Sequence, residues 1–509
     1  MTSDPRDWMD RLPYTTPRAS DPRAKPVRAA AYLLLAAALV VPVVQFQVLT
    51  VRNLAQGADS DEGKSHKGAI GRWRLAVHEF WAGKNIYAPA DACAAPAWRD
   101  QSAPPSEKVW LHPNTPLVVL LISPLALLPV WAMALAWNVL KLAVLAGSIL
   151  GAARLAAHRE RRTSDWVIGL ALLWGALLII GDIQHGNTNV FVLGAIVLHL
   201  WAYRRGNDFL AGAPLALAVC LKMTPALFLL YWLYQRNWKL LAGTAVFGIL
   251  LAVALPWAVL AAAFGPGHFV ALAGTWLDQL IVPGLLKGAW YPVHINQSIP
   301  GVFSRYFLSG PDGDIFWNPD DWTYEAFRAS GKPSGWITVA ALSPATVKWM
   351  IRAAQALVVL LAAWAIGWRK LPRDDGRRAL HYGLVLLGMM LLNQRTWDHH
   401  AAVLLPMYVA VWHALGYGRM ARAARIAALA LVLAAGPLVW LSGTGFAKLA
   451  AVLSGHALHK GDHWADLADA YGPTCLHFLL MFAASVVLAV ALRRSDAPYA
   501  DRRQPLRAR

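Results

Sequence analysis

The sequence is short of cysteine, of acidic side chains and of charge altogether. Its 509 residues include 3 cysteines, Cys93, Cys220 and Cys475, and none are spaced as CxxC. That excludes a disulfide framework and a zinc-ribbon type of metal site. A single Cys93–Cys475 bridge stays open, because both residues fall in or near segments that read as extracytoplasmic. Asp and Glu number 29 against 47 Lys and Arg, a formal net charge of +18, yet charged residues are only 15% of the chain. Soluble domains carry about 25%. With 57% hydrophobic residues in runs that recur along most of the chain, a soluble enzyme with one anchor is excluded. The basic excess sits in short connections between apolar runs, where the positive-inside rule places it, so nucleic acid is not an expected partner.

What is present reads as an all-α polytopic membrane protein of about twelve transmembrane helices. The first apolar run, about 29–48, follows Arg11, Arg18, Arg23, Lys25 and Arg28 and has no small-residue cleavage site after it. It therefore reads as an uncleaved span with a cytoplasmic N-terminus. Basic clusters at 154–162, 204–205, 236–239, 369–378 and 419–425 mark further cytoplasmic turns. The expected layout is a tail over 1–26, a membrane domain over 27–492 and a basic cytoplasmic tail over 493–509. Two long extracytoplasmic loops lie at about 50–114 and 264–345, and a third outer connection at 443–472. The stretch 115–157 is too long for one span and is interrupted by Pro124 and Pro129. The run 208–234 has basic flanks at both ends, which two short helices meeting at Lys222-Met223-Thr224-Pro225 would satisfy.

Charges at membrane depth cost about 2.5–3.5 kcal/mol each on insertion scales, so polar groups that interrupt apolar runs raise a question of function. Four groups map to the outer side of this threading. Asp182, Gln184, His185, Asn187 and Asn189 occupy a hairpin tip. Read blandly, they are a hydrated, capped turn; otherwise they edge a cavity. Lys222 either snorkels to the interface or aims its ammonium into a cavity as a point charge for phosphate. His294, Asn296, Gln297 and Ser298, with Arg305 beyond them, form either a capped loop or a site for sugar hydroxyls and phosphate. Asn393-Gln394-Arg395-Thr396-Trp397-Asp398-His399-His400, wedged between two apolar runs, is the strongest signal. Adjacent His residues lack the i, i+4 spacing of a helical metal site, so no metal and no cofactor are expected. The first outer loop adds Asp59, Asp61, Glu62 and Glu79.

At these residues the chain resembles glycosyltransferase family 87, the integral-membrane polyprenol-phosphate-mannose-dependent mannosyltransferases. The features that carry the resemblance are, in order, Trp81-Ala82-Gly83-Lys84-Asn85-Ile86-Tyr87, His112-Pro113-Asn114-Thr115-Pro116, Gln184-His185-Gly186-Asn187-Thr188-Asn189, Leu221-Lys222-Met223-Thr224-Pro225, Arg236-Asn237-Trp238-Lys239, Asn296-Gln297-Ser298-Ile299-Pro300-Gly301 and Trp397-Asp398-His399-His400. Each is short; their order and spacing over about 30–440 carry the likeness. It implies a GT-C-type fold, a polyprenyl-phosphate-linked sugar donor, a lipid or glycan acceptor, and inverting transfer on the outer face of the inner (plasma) membrane. It also implies a first-loop carboxylate as general base. Family members often carry an Asp about eighteen residues before the motif tyrosine, but that register falls near Ala69 here. The base is therefore assigned to Glu62, Asp61 or Asp59, with Glu79 and Asp182 as alternatives. Lys222, Arg305, Arg395, His399 and His400 are expected to hold the donor phosphate. Gln184, Asn187, Asn296 and Gln297 are expected to touch sugar or acceptor. The rival class is a transporter or flippase of a lipid-linked or anionic substrate, which should show inverted repeats and midplane charges.

Overall fold

A computed structural model describes residues 40–41, 43–48, 70–87, 114–157, 163–278, 281–282, 294–308, 339–442, 452–453, 468–493 and 499. Asp59, Asp61, Glu62 and Cys93 lie outside them, and with Cys93 the Cys93–Cys475 pairing. Among the described residues the chain is helical, with no strands beyond the isolated bridges Leu308–Leu342 and Gly418–Tyr499.

In chain order the helices are α1 (Ile70–Trp81), α2 (Pro116–Ala126), α3 (Val130–Ala156), α4 (Asp165–His185), α5 (Asn189–Arg204), α6 (Asp208–Leu221) and α7 (Leu227–Tyr234). Then come α8 (Trp238–Ile249), α9 (Leu255–Phe264), α10 (Gly267–Trp276), α11 (Ile299–Phe307), α12 (Pro344–Ile366), α13 (Arg377–Leu391), α14 (Leu405–Tyr417), α15 (Arg422–Trp440) and α16 (Pro473–Arg493). Among the described residues, six segments are long and apolar enough to cross a membrane: α3, α4, the continuous 238–264 stretch of α8 and α9, α12, α15 and α16. The protein is a multi-pass membrane protein. Apolar side chains along α8 and α9, among them Val246, Ile249, Leu250, Val253 and Trp257, are exposed as a lipid-facing surface requires. A widened π turn at Leu250–Ala254 joins these helices just before Pro256, whose missing amide proton and ring bulk disrupt regular α pairing there.

The centre of the bundle is different. α13 is buried from Arg378 to Leu391 and α14 from Leu405 to Leu415. A helix that is hydrophobic all round belongs in a core. α13 has 15 residues and α14 has 13, continued on its N-terminal side by a 3-10 helix over Asp398–Leu404, and both are lined by protein along their length. Hydropathy alone does not tell such protein-lined helices from lipid-lined ones.

The helices fold back on each other so that their turns fall at two ends. One end gathers the arginines. Arg204 donates to the carbonyls of Arg154, Leu155 and Ala157 at 2.8–3.1 Å, where α3 stops. Arg425 does the same for Leu415 and Gly418 at the end of α14, and Arg493 for Trp364 near the end of α12. Arg377 reaches Leu492 and Arg493 at the end of α16. Terminal helix carbonyls have no partner within the helix and carry the negative end of its dipole, so guanidinium groups suit them.

The opposite end gathers the polar turns. Gly186, at φ 65°, adopts the left-handed conformation that stops α4 and lets α5 begin at Asn189. α6 ends at Leu221, Lys222 is extended, and a 3-10 turn at Thr224–Ala226 starts the descent through α7. The break is held from outside: Asn114 donates to the Leu221 carbonyl at 2.8 Å and Thr115 to that of Cys220 at 2.9 Å. Tyr87 in turn donates to the Asn114 carbonyl at 2.7 Å, tying the segment after α1 to the same point.

Candidate active site

The turn between α13 and α14 forms the floor. Thr396 donates to the Met390 carbonyl at 2.8 Å and so closes the end of α13. Trp397 precedes a 3-10 helix, Asp398–Leu404. Asn296 stitches a second loop onto this turn: its Nδ2 donates to the Gln394 carbonyl at 2.9 Å, and its Oδ1 accepts from the Thr396 and Ser298 amides and the Ser298 hydroxyl. Gly301 makes that approach possible, since a Cβ there would lie 2.4 Å from Asn296 Cγ. Gln297 donates from its amide nitrogen to the Thr396 carbonyl and from its side chain to the Asp469 carbonyl at 2.7 Å. Arg305 is buried and donates to the carbonyls of Ala470 and Asn296 at 2.8 and 2.9 Å. Asn296, Gln297 and Arg305 thus bind three backbone segments together.

Above this floor, Asn187 lies 2.7 Å from His399 Nε2, and the His185 ring stacks on His399 with centroids 4.5 Å apart. His399 meets His400 edge to face at 4.7 Å, and His400 stacks on Trp397 at 5.7 Å. The Arg395 guanidinium covers the other part of this group, 4.6 Å from the Trp397 ring centroid. The Trp397 amide donates to His400 Nδ1 at 3.3 Å, which fixes the proton of the neutral ring on Nε2. With Nδ1 accepting, the Nε2–H of His400 is the ring's donor.

Lys222 reaches the cluster from the helix break, donating to Asn189 Oδ1 at 2.7 Å. Burial lowers its ammonium to about 7, with Asp182 opposing the fall and Arg395 adding to it. Asn189 Nδ2 donates to Asp182 Oδ1 at 2.8 Å. Asp182 is fully buried against Lys141, Nζ to Oδ2 2.8 Å, and Lys141 also donates to the Asp182 carbonyl at 2.7 Å. That closes Asp182 off from an acceptor hydroxyl. Glu79 on α1 faces outward, 3.8 Å from Lys84. Gln184 is half-buried between Asp182 and His185 on α4. Among the described residues no three His, Cys, Asp or Glu side chains are grouped to hold a metal.

An apolar groove of about 560 Å³ runs along α3, α5 and α2, lined by Ile122, Trp137, Leu140, Phe191 and Leu198. It includes Thr188 and Leu221 at the polar end, each next to a residue of the cluster, and Arg154 and Trp201 at the basic end.

The family model for glycosyltransferase family 87 matches residues 110–394, more than half of the chain. The chain belongs to that family. This family 87 member is a membrane glycosyltransferase. It is 25% identical over 328 residues, 58% of this chain and 70% of the relative, to a polyprenol-phosphate-mannose-dependent alpha-(1-2)-phosphatidylinositol mannoside mannosyltransferase of Mycobacterium tuberculosis (strain ATCC 25618 / H37Rv). No solved structure matches.

The sequence reading passed over Lys141. A lone lysine within the 27 residues of α3 carried the signal, because an ionisable group inside a span needs a partner. In the sequence Asn114 and Thr115 are only part of a motif, and their role as caps on the break before Lys222 requires the fold.

Proposed function

We propose that this glycosyltransferase moves a sugar, mannose, from a polyprenyl-phosphate donor to a hydroxyl of a lipid or glycan acceptor, with inversion, on the extracytoplasmic side of the inner (plasma) membrane. The observation that carries this reading is that the apolar groove meets the cluster of Lys222, Arg395 and histidines at Thr188 and Leu221. A ligand with a long apolar chain and an anionic head fits that junction. The Mycobacterium tuberculosis relative is named as polyprenol-phosphate-mannose-dependent, which supports the same donor class. The threading that goes with it has about twelve spans in a GT-C-like arrangement, both termini in the cytosol and the polar end outside.

In this mechanism a first-loop carboxylate, Glu62, Asp61 or Asp59, takes the proton of the acceptor hydroxyl. The acceptor oxygen bonds to the anomeric carbon as the bond from that carbon to the phosphate oxygen breaks. Polyprenyl phosphate leaves with the electron pair. Charge then grows on phosphate, where the Lys222 ammonium, the Arg395 guanidinium and the neutral His400 Nε2–H stabilise it. His399 and Asn187 hold the adjoining wall, Gln184 faces the sugar, and Asn296, Gln297 and Arg305 keep the floor in place.

The test is transfer from radiolabelled polyprenyl-phosphate mannose by the purified protein in lipid nanodiscs, with extracted envelope lipids as acceptors. Label in a new glycoconjugate supports the reading. Label that stays on the prenyl donor with every acceptor fraction overturns it.

A further inference from the structure

The mechanism uses Lys222 but leaves unexplained an ion pair buried beside it. Lys141 and Asp182 have no exposed side-chain surface, on helices predicted to lie within the membrane. Removing two charges from water is costly, and an apolar pair of similar volume often serves stability as well or better. The pair is also not self-contained. Asp182 presents Oδ2 to Lys141 and Oδ1 to Asn189 Nδ2, and the other end of the same amide accepts from Lys222. Each contact, from Lys141 Nζ through to Lys222 Nζ, is 2.7–2.8 Å.

The connectivity fixes direction. A carboxylate only accepts, so Asn189 must turn its NH₂ to Asp182, and its carbonyl oxygen must then face Lys222. Lys141 balances the charge of Asp182, so the chain of contacts leaves one surplus positive charge, on Lys222. We infer that Lys141, Asp182 and Asn189 form a positioning relay that aims the Lys222 ammonium at the donor phosphate. The inference rests on the reading of Lys222 as a phosphate-binding cation. Besides the relay, Arg395 and the neutral His400 face Lys222; Arg395 opposes its charge, so the relay supplies the local support for keeping it protonated.

Two measurements separate a relay from a structural pair. In Asp182→Asn the donor KM rises about tenfold, with kcat changed less than about threefold. The basic limb of the kcat/KM profile also moves to lower pH, because a negative charge near Lys222 is gone. Asn189→Ala leaves the Lys141–Asp182 pair intact, so it carries the same test if Asp182→Asn does not accumulate, and its donor KM rises similarly. The second measurement needs no substrate: the pH dependence of acetylation of Lys222 by acetic anhydride, read by mass spectrometry of the peptide. The relay predicts half-maximal reactivity at lower pH in Asp182→Asn than in the parent protein. If the parent protein transfers no sugar while this shift is present, the proposed function fails and the relay stands. Unchanged donor KM and an unchanged Lys222 titration in a folded variant overturn the relay.

Discussion

The two ends of the bundle use their cations in opposite ways. At the basic end, Arg204, Arg377, Arg425 and Arg493 donate to carbonyls where helices finish, so their charge completes the backbone. At the polar end, Lys222 donates to a side chain and Arg395 lies on a tryptophan that His400 also stacks on. Arg305 there resembles the basic-end arginines, binding carbonyls of Asn296 and Ala470. Positive charge count alone therefore does not locate a site in a protein with an excess of 18 positive charges. What distinguishes a site is whether the charge is directed at the protein's own backbone or at a cavity.

The comparison breaks first at Lys222. Lys222→Met should lower kcat by about 10²–10³-fold, the scale for losing a preorganised group that stabilises leaving-group charge. Turnover by the folded variant in nanodiscs measures it, and near-normal turnover would place the phosphate elsewhere. Filling the groove has a smaller effect. Leu198→Trp should raise KM about tenfold for a long-chain polyprenyl donor while leaving a short-chain analogue within about twofold. Equal effects on both donors would deny the groove its role. The pH dependence sharpens the contrast. Lys222 loses its proton as pH rises through about 7 in the free protein. Donor kcat/KM should therefore fall over that range, while kcat holds to higher pH because bound phosphate favours the charged form. Arg204→Gln is the mildest for chemistry. It should lower stability by about 1–3 kcal/mol, seen as a lower midpoint of thermal unfolding in detergent, with donor KM unchanged.

Much of this contrast is legible in the sequence at low resolution. Basic loops predict which turns share an end, and the break at Lys222 follows from Pro225 and the basic flanks of 208–234. The short helix before α3 follows from Pro124 and Pro129. The four polar groups do converge, because each sits at a helix terminus of the same end. What the sequence does not carry is which polar atoms face one another. Asn296 and Arg305 have the chemistry of sugar and phosphate binding, yet both are drawn to carbonyls that only the fold brings within 3 Å. Lys141 and Asp182 lie 41 positions apart on different helices, so their pairing has no local signature. Hydropathy also cannot tell that α13 and α14 form the protein-lined core beneath the site.

The central claim is that the donor phosphate belongs to the polar end. A cryo-EM map of the protein in nanodiscs with bound polyprenyl phosphate tests it most directly. The account predicts phosphate density in contact with Lys222 and Arg395, with the chain entering the groove past Thr188 and Leu221. Phosphate density at Arg154 and Trp201, with the chain running the other way, would contradict it.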